Sequence, residues 1–148
     1  MPIVKVVAQN RRARYDYEIL DTFEAGVMLT GPEAKSCRKG HINLAGSFVS
    51  FLGGKAVLKG AGISKYAYSS ELLYDEHRDR QLLLKKTELA KLQRAAEEKG
   101  MTIVPLEVHA GKFIKIVVGL GRGKKKTDKR QAIKERETGR RLREGRDV

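Results

Sequence analysis

Thr102-Ile103-Val104-Pro105-Leu106-Glu107-Val108-His109-Ala110-Gly111-Lys112-Phe113-Ile114-Lys115-Ile116-Val117-Val118 is the stretch that decides the fold. Thr102-Ile103-Val104 with Leu106-Glu107-Val108 makes one β-prone run, and Lys112 to Val118 makes a second. They flank His109-Ala110-Gly111, a short glycine-containing connection, so the reading is an antiparallel hairpin. Upstream, Phe48-Val49-Ser50-Phe51-Leu52 and Lys55-Ala56-Val57-Leu58-Lys59 enclose Gly53-Gly54, whose residues tolerate the positive φ of a tight two-residue turn. Further strands are expected over residues 3–8, 15–23 and 26–29. Two segments break the pattern. Pro32 opens Glu33-Ala34-Lys35-Ser36-Cys37-Arg38-Lys39, and Gly40 stops it, which predicts a short helix. Thr87 is placed to cap a longer helix, with Leu89, Leu92 and Ala96 as its apolar stripe and Gly100 as its end. Many short strands with few helices predict a mainly β chain, a small antiparallel barrel with flanking helices. No repeat of solenoid period is present.

The chain has 148 residues, enough for one hydrophobic core. Lys and Arg number 31 against 18 Asp and Glu, and the net charge of +13 attracts polyanions, nucleic acid before membrane. Apolar runs such as Ile116-Val117-Val118 are strand-length, which argues against a membrane partner. Met1-Pro2-Ile3-Val4-Lys5 does not read as a secretory signal, and a lone Cys37 fits a reducing compartment, so the cytoplasm is the expected location.

Charge is unevenly spread. Residues 119–148 hold 12 Lys or Arg and 5 Asp or Glu, so they carry +7 and residues 1–118 carry +6. From Lys124 onward the apolar residues are Ala132, Ile133, Leu142 and Val148, too few to cover a docking face. The expected division is therefore a compact domain over 1–118 and a basic tail over 119–148, disordered when free. Arg130, Lys134 and Arg141, with Arg136, Arg140 and Arg143, fall at helical spacing once a partner orders the backbone. Gly119-Leu120-Gly121-Arg122-Gly123-Lys124 fails as a phosphate loop, because Val118 and Lys125 stand where Gly and Ser or Thr are needed; it reads as a hinge.

No catalytic or metal constellation emerges. His41, His77 and His109 lack a ligand partner at i+3 or i+4, Cys37 reads as a packed thiol, and no carboxylates among Glu18, Glu24, Glu97 and Glu98 form an evident acid/base pair. Neither an enzyme nor a cofactor is expected. Basic residues instead cluster at Arg11, Arg12 and Arg14, at Lys35, Arg38 and Lys39, and at Arg78 and Arg80. Without a recognition helix or zinc module, DNA is not expected, and with only nine aromatic residues the recognition favours the shape and backbone of folded RNA. A ribosomal protein with a threaded extension and a small nuclease are the alternatives that charge alone leaves standing.

Read in order, further motifs resemble the SmpB family, the tmRNA-binding proteins of bacterial trans-translation. They are Asn10-Arg11-Arg12-Ala13-Arg14-Tyr15-Asp16-Tyr17, Phe23-Glu24-Ala25-Gly26-Val27, Gly31-Pro32-Glu33-Ala34-Lys35-Ser36-Cys37-Arg38-Lys39-Gly40, Arg78-Asp79-Arg80-Gln81-Leu82-Leu83-Leu84, and Gly121-Arg122-Gly123-Lys124-Lys125-Lys126-Thr127-Asp128-Lys129-Arg130. Ala34, Cys37 and Gln81 replace the family's Val, Leu and Lys, and Thr127 stands where relatives often carry a ring. The resemblance implies an OB-like barrel that binds the tRNA-like domain of tmRNA. By position it implies RNA-binding roles for Asn10, Arg11, Arg12, Glu24, Glu33, Lys35, Arg38, Leu83 and Lys115. It further implies delivery to stalled 70S ribosomes with elongation factor Tu and GTP. There the tail, through Gly123, Lys124, Lys125, Asp128, Lys129, Arg130, Lys134, Arg136, Arg140 and Arg141, would become helical in the empty messenger channel beside the decoding centre.

Overall fold

The structure is a computed structural model that describes residues 4–70 and 72–124. Its elements run in the order β1 (Lys5–Gln9), α1 (Arg11–Asp16), β2 (Tyr17–Val27), α2 (Gly31–Arg38), β3 (Ile42–Asn43) and β4 (Phe48–Leu52). There follow β5 (Lys55–Lys59), β6 (Gly62–Ile63), β7 (Arg80–Leu83), α3 (Lys86–Ala96), β8 (Met101–Ala110) and β9 (Ile114–Gly123).

Strands β8, β4, β5, β7, β2 and β9 pair in that order, and β9 pairs back onto β8, closing a ring; β1 adds to the edge of β8. Every pairing is antiparallel. This is the expected barrel. The edge of β8 is shared: Ile103 meets Val49 of β4, while Glu107 to Ala110 meet β1. Between them the register slips at Pro105 to Glu107, where a residue without an N–H breaks the ladder at least cost. Closure pairs both edges of the ring strands, and β1, bonded to β8 alone, remains the edge strand.

Side chains alternate across the ring wall. Ala25, Val49, Ala56, Leu58, Leu82, Ile103, Val108, Ile116 and Val118 point inward and are buried, and Cys37 of α2 and Leu92 of α3 join the same cluster. A smaller cluster outside the wall holds Ala13 of α1 against Val104 and Leu106, with Tyr17, Ile19 and Val117 beside them.

Several expectations are corrected. The β8–β9 connection is Gly111-Lys112-Phe113, since Ala110 pairs with Ile114. Strand β9 continues to Gly123, so the residues read as a hinge are sheet, and the folded part reaches past Val118. Their glycines serve close approach rather than flexing: a Cβ on Gly119 would lie 2.8 Å from Leu106 Cδ1, and one on Gly121 would lie 3.0 Å from Tyr17 Cβ. Residues 11–16 form a helix where strand was expected from Tyr15, and β2 then runs unbroken through the expected gap before Gly26. Thr87 lies inside α3, whose N-cap is Lys85 without a side-chain bond. The Gly53-Gly54 turn is as read, with φ of 57° and 76°. Among the described residues no helix is long and apolar enough to cross a membrane.

Candidate nucleic-acid interface

Directly paired residues of adjacent strands share a face. Val6 pairs with His109, His109 with Lys115, Lys115 with Gly26, and Gly26 with Leu83. These pairings lay Val6, His109, Lys115, Gly26 and Leu83 in one row across β1, β8, β9, β2 and β7, on the outside of the wall. The row spans roughly 19 Å at about 4.8 Å per strand. Their inward neighbours Val108, Ile116, Ala25 and Leu82 are in the core, which locks the row outward. Leu83 is 51% exposed and Val6 44%, an uncommon position for two aliphatic side chains unless something covers them. Gly26 leaves the row flat between Lys115 and Leu83. Glu24, two residues along β2, brings Oε1 to 3.1 Å from Lys115 Nζ. Both side chains are about half exposed, so the pair contributes little to stability and Lys115 is free to exchange the carboxylate for a phosphate. Alongside the middle of the row, Phe113, 66% exposed, stands beside Lys112 at the tip of the β8–β9 hairpin.

Asn10 sits apart from the row and faces inward. Its Nδ2 donates to Pro105 O at 2.8 Å and Leu44 O at 3.2 Å, and its Oδ1 accepts from Ala13 N at 3.2 Å as the N-cap of α1. With its amide occupied and the residue 5% exposed, it cannot touch RNA directly. Its role in the fold is to cap α1 and tie it to Pro105 and Leu44. Arg11 and Arg12 are exposed on α1, with Arg12 paired to Asp16 at 3.4 Å. Gly123 pairs with Tyr17 at the start of β2, and Lys124 N donates to Asp16 O at 3.0 Å. Gly123 and Lys124 therefore lie beside the arginines of α1, and the chain leaves the described residues there. The other expected tail positions, Lys125, Asp128, Lys129, Arg130, Lys134, Arg136, Arg140 and Arg141, lie outside the described residues.

Glu33 is interior, which corrects its expected place on the RNA surface. Thr30 and Glu33 form a reciprocal capping box at the start of α2, with Thr30 N donating to Glu33 Oε1 at 3.0 Å. Arg80 donates to Oε2 through Nε at 3.0 Å and Nη2 at 2.7 Å, and Arg78 donates to Oε1. Burial alone would raise the carboxyl pKa. The Thr30 N–H and the guanidinium groups of Arg78 and Arg80 more than offset it, holding the value at about 2. Tyr74 completes the network, its hydroxyl donating to Ile63 O at 2.9 Å. Arg80 is fully buried and is a structural cation rather than part of the basic contact patch that the spacing suggested, whereas Arg78 pairs with Glu33 while its side chain stays 39% exposed. Arg38 donates to Gly111 O at 2.7 Å and Lys112 O at 3.0 Å, bracing the hairpin tip from α2. Lys35 is exposed beside Tyr66. Cys37 is packed, as expected, and burial pushes its thiol up to about 12. Among the described residues no three His, Cys, Asp or Glu are grouped to hold a metal ion.

The SmpB protein family model matches residues 7–146. The chain belongs to the SmpB family. Its relatives include an "SsrA-binding protein" of Leuconostoc mesenteroides, 49% identical over 137 residues, covering 92% of this chain and 89% of that one. Another, of Microcystis aeruginosa, is 48% identical over 136 residues, covering 90% and 88%. A solved SmpB-related chain described as "tmRNA-SmpB: a journey to the center of the bacterial ribosome" superposes with a TM-score of 0.68 at 42% identity, over 86% of this chain and 94% of that one. The barrel is thus the fold of the SmpB family.

Of the expected RNA contacts, Leu83, Glu24 and Lys115 converge on one surface, and Arg11 and Arg12 cluster on α1. Val6, Gly26, His109 and Phe113 join that surface without having been expected there. Residues two apart on a strand share a face, so Gly26 followed from Glu24 and Phe113 from Lys115, but the strands that Val6 and His109 bring alongside are set by closure of the ring.

Proposed function

We propose that the chain binds the tRNA-like domain of tmRNA and delivers it to stalled ribosomes for trans-translation, with no reaction of its own. The observation that carries this is the exposed row from Val6 to Leu83 with Glu24 and Lys115 at its centre. Flat, half apolar and singly cationic, it suits the backbone and sugar edge of folded RNA. Lys115 takes a phosphate, Glu24 released from it accepts a ribose hydroxyl, and Leu83 packs on an unstacked base or sugar. The arginines of α1 add phosphate contacts. Membership in a family whose relatives are named SsrA-binding proteins is the reason to choose tmRNA among RNAs.

In this reading the basic tail departs from the arginine side of the barrel and enters the vacant messenger channel of the small subunit. Asp128, Lys129 and Arg130 lie near the decoding nucleotides, and Lys134, Arg136, Arg140 and Arg141 meet phosphates along the channel. Ordering a tail costs conformational entropy, which contacts offset only when messenger is absent. Elongation factor Tu with GTP accompanies the delivery complex, and the setting is the cytoplasm.

The test measures binding of the full chain to the tRNA-like domain, to an ordinary tRNA and to a random RNA duplex at one salt concentration. The first is expected to bind at least tenfold more tightly than the other two. Charge reversal at Lys134, Arg136, Arg140 and Arg141 is expected to leave that affinity within about twofold and abolish tagging on stalled ribosomes. Equal affinity for all three RNAs would overturn the reading.

A further inference from the structure

We infer that Tyr66 and Tyr68, with Lys35 of α2 and Lys39 at its C-cap, form a second RNA contact, a platform on which one unpaired nucleotide of single-stranded RNA stacks. It uses none of the residues in the five-strand row and does not require tmRNA to be the partner of that row.

The turn after β6 is closed by Ser69 N donating to Tyr66 O at 2.9 Å. That turn sets the two rings edge to face, with centroids 5.4 Å apart and planes at 65°. Lys39 Nζ lies 5.2 Å from the Tyr66 centroid and 5.8 Å from that of Tyr68, and Lys35 Nζ lies 5.5 Å from Tyr66. Lys39 caps α2 four residues after Lys35, and both ammonium groups lie over the Tyr66 ring. Neither forms an ion pair among the described residues. Tyr68 is 81% exposed, so packing within the fold does not account for its position.

Two cations converging on an aromatic pair call for an anion, and the open ring calls for a flat apolar group beside it. A nucleotide has both, and only an unpaired one presents its base face. The platform is also held in place. Ser36 Oγ donates to Ser64 O at 2.7 Å where the loop leaves β6, and Tyr74 and Arg78 tie its return to Glu33 of α2. A partner therefore meets a preformed surface.

The test is a 19F NMR titration of the full chain carrying 3-fluorotyrosine at its five tyrosines, with resonances assigned by Tyr66→Phe and Tyr68→Phe. The ligands are hexaadenylate, a twelve-base-pair RNA duplex and inorganic polyphosphate. Hexaadenylate is expected to shift the Tyr68 and Tyr66 resonances saturably, while duplex and polyphosphate move them several-fold less. Lys35→Gln with Lys39→Gln is expected to lower the slope of log affinity against log salt, read from these resonances, by roughly 1.4, at about 0.7 per phosphate of a single strand. A stationary Tyr68 resonance at saturating hexaadenylate, or equal shifts from polyphosphate or duplex, would overturn the inference. Lys115→Ala is expected to leave the tyrosine shifts unchanged, so failure of tRNA-like-domain binding is read separately.

Discussion

The carboxylate of Glu33 meets a backbone N–H, two guanidinium groups and a tyrosine hydroxyl inside the fold. Its ordinary value of 4.5 is lowered to about 2, so the native state favours the ionised form. The stabilisation is complete above about pH 4.5 and is lost progressively as the pH falls toward 2, amounting to about 3 kcal/mol. Urea unfolding across that interval is expected to show a steep loss of stability, and Glu33→Gln to flatten it while costing about 3 to 5 kcal/mol at pH 7 through the stranded Arg80. Leu83 is the opposite kind of residue. Leu83→Ala is expected to change stability by less than about 0.5 kcal/mol and to weaken binding to the tRNA-like domain roughly tenfold, measured by filter binding. The sequence shows both as members of motifs, and it separates them poorly. Thr30 and Glu33 have capping-box spacing, but the partners Arg78 and Arg80 lie 45 and 47 residues away, beyond any local pattern.

Elements with strong local signals are where the reading succeeded. The Gly53-Gly54 hairpin and the β8–β9 hairpin follow from β-branched runs and turn residues, and α2 follows from Pro32 and Gly40. Helix α1 was missed because Arg11-Arg12-Ala13-Arg14-Tyr15-Asp16 has no apolar stripe; what holds it is the Asn10 cap and the packing of Ala13 on Leu106. Asn10→Ala removes the cap and strands the carbonyls of Leu44 and Pro105. It is expected to cost about 2 to 3 kcal/mol by thermal unfolding and to weaken RNA binding although Asn10 touches no RNA. Gly119 was read as loose and is tight: Gly119→Ala drives a methyl into Leu106 and Ile19, with an expected loss of about 1 to 3 kcal/mol.

At the scale of the whole molecule, β9 joins the two regions to which function is assigned. Lys115 lies near its start and Gly123 ends it, roughly 26 Å away at about 3.3 Å per residue. The strand is bonded along both edges, to β2 and to β8. Inserting one residue between Val118 and Gly119 is expected to lower the melting temperature markedly and to abolish tagging, whereas the same insertion after Lys124 leaves the melting temperature unchanged. The register shifts beside it are taken up by one extra residue in each partner strand, at Leu20 of β2 and Leu106 of β8, because a slip of β9 itself would turn every inward side chain outward. The barrel therefore acts as a gauge block. The spacing between Lys115 in the outer row and Gly123 at the end of β9 is set by sheet register to within one residue.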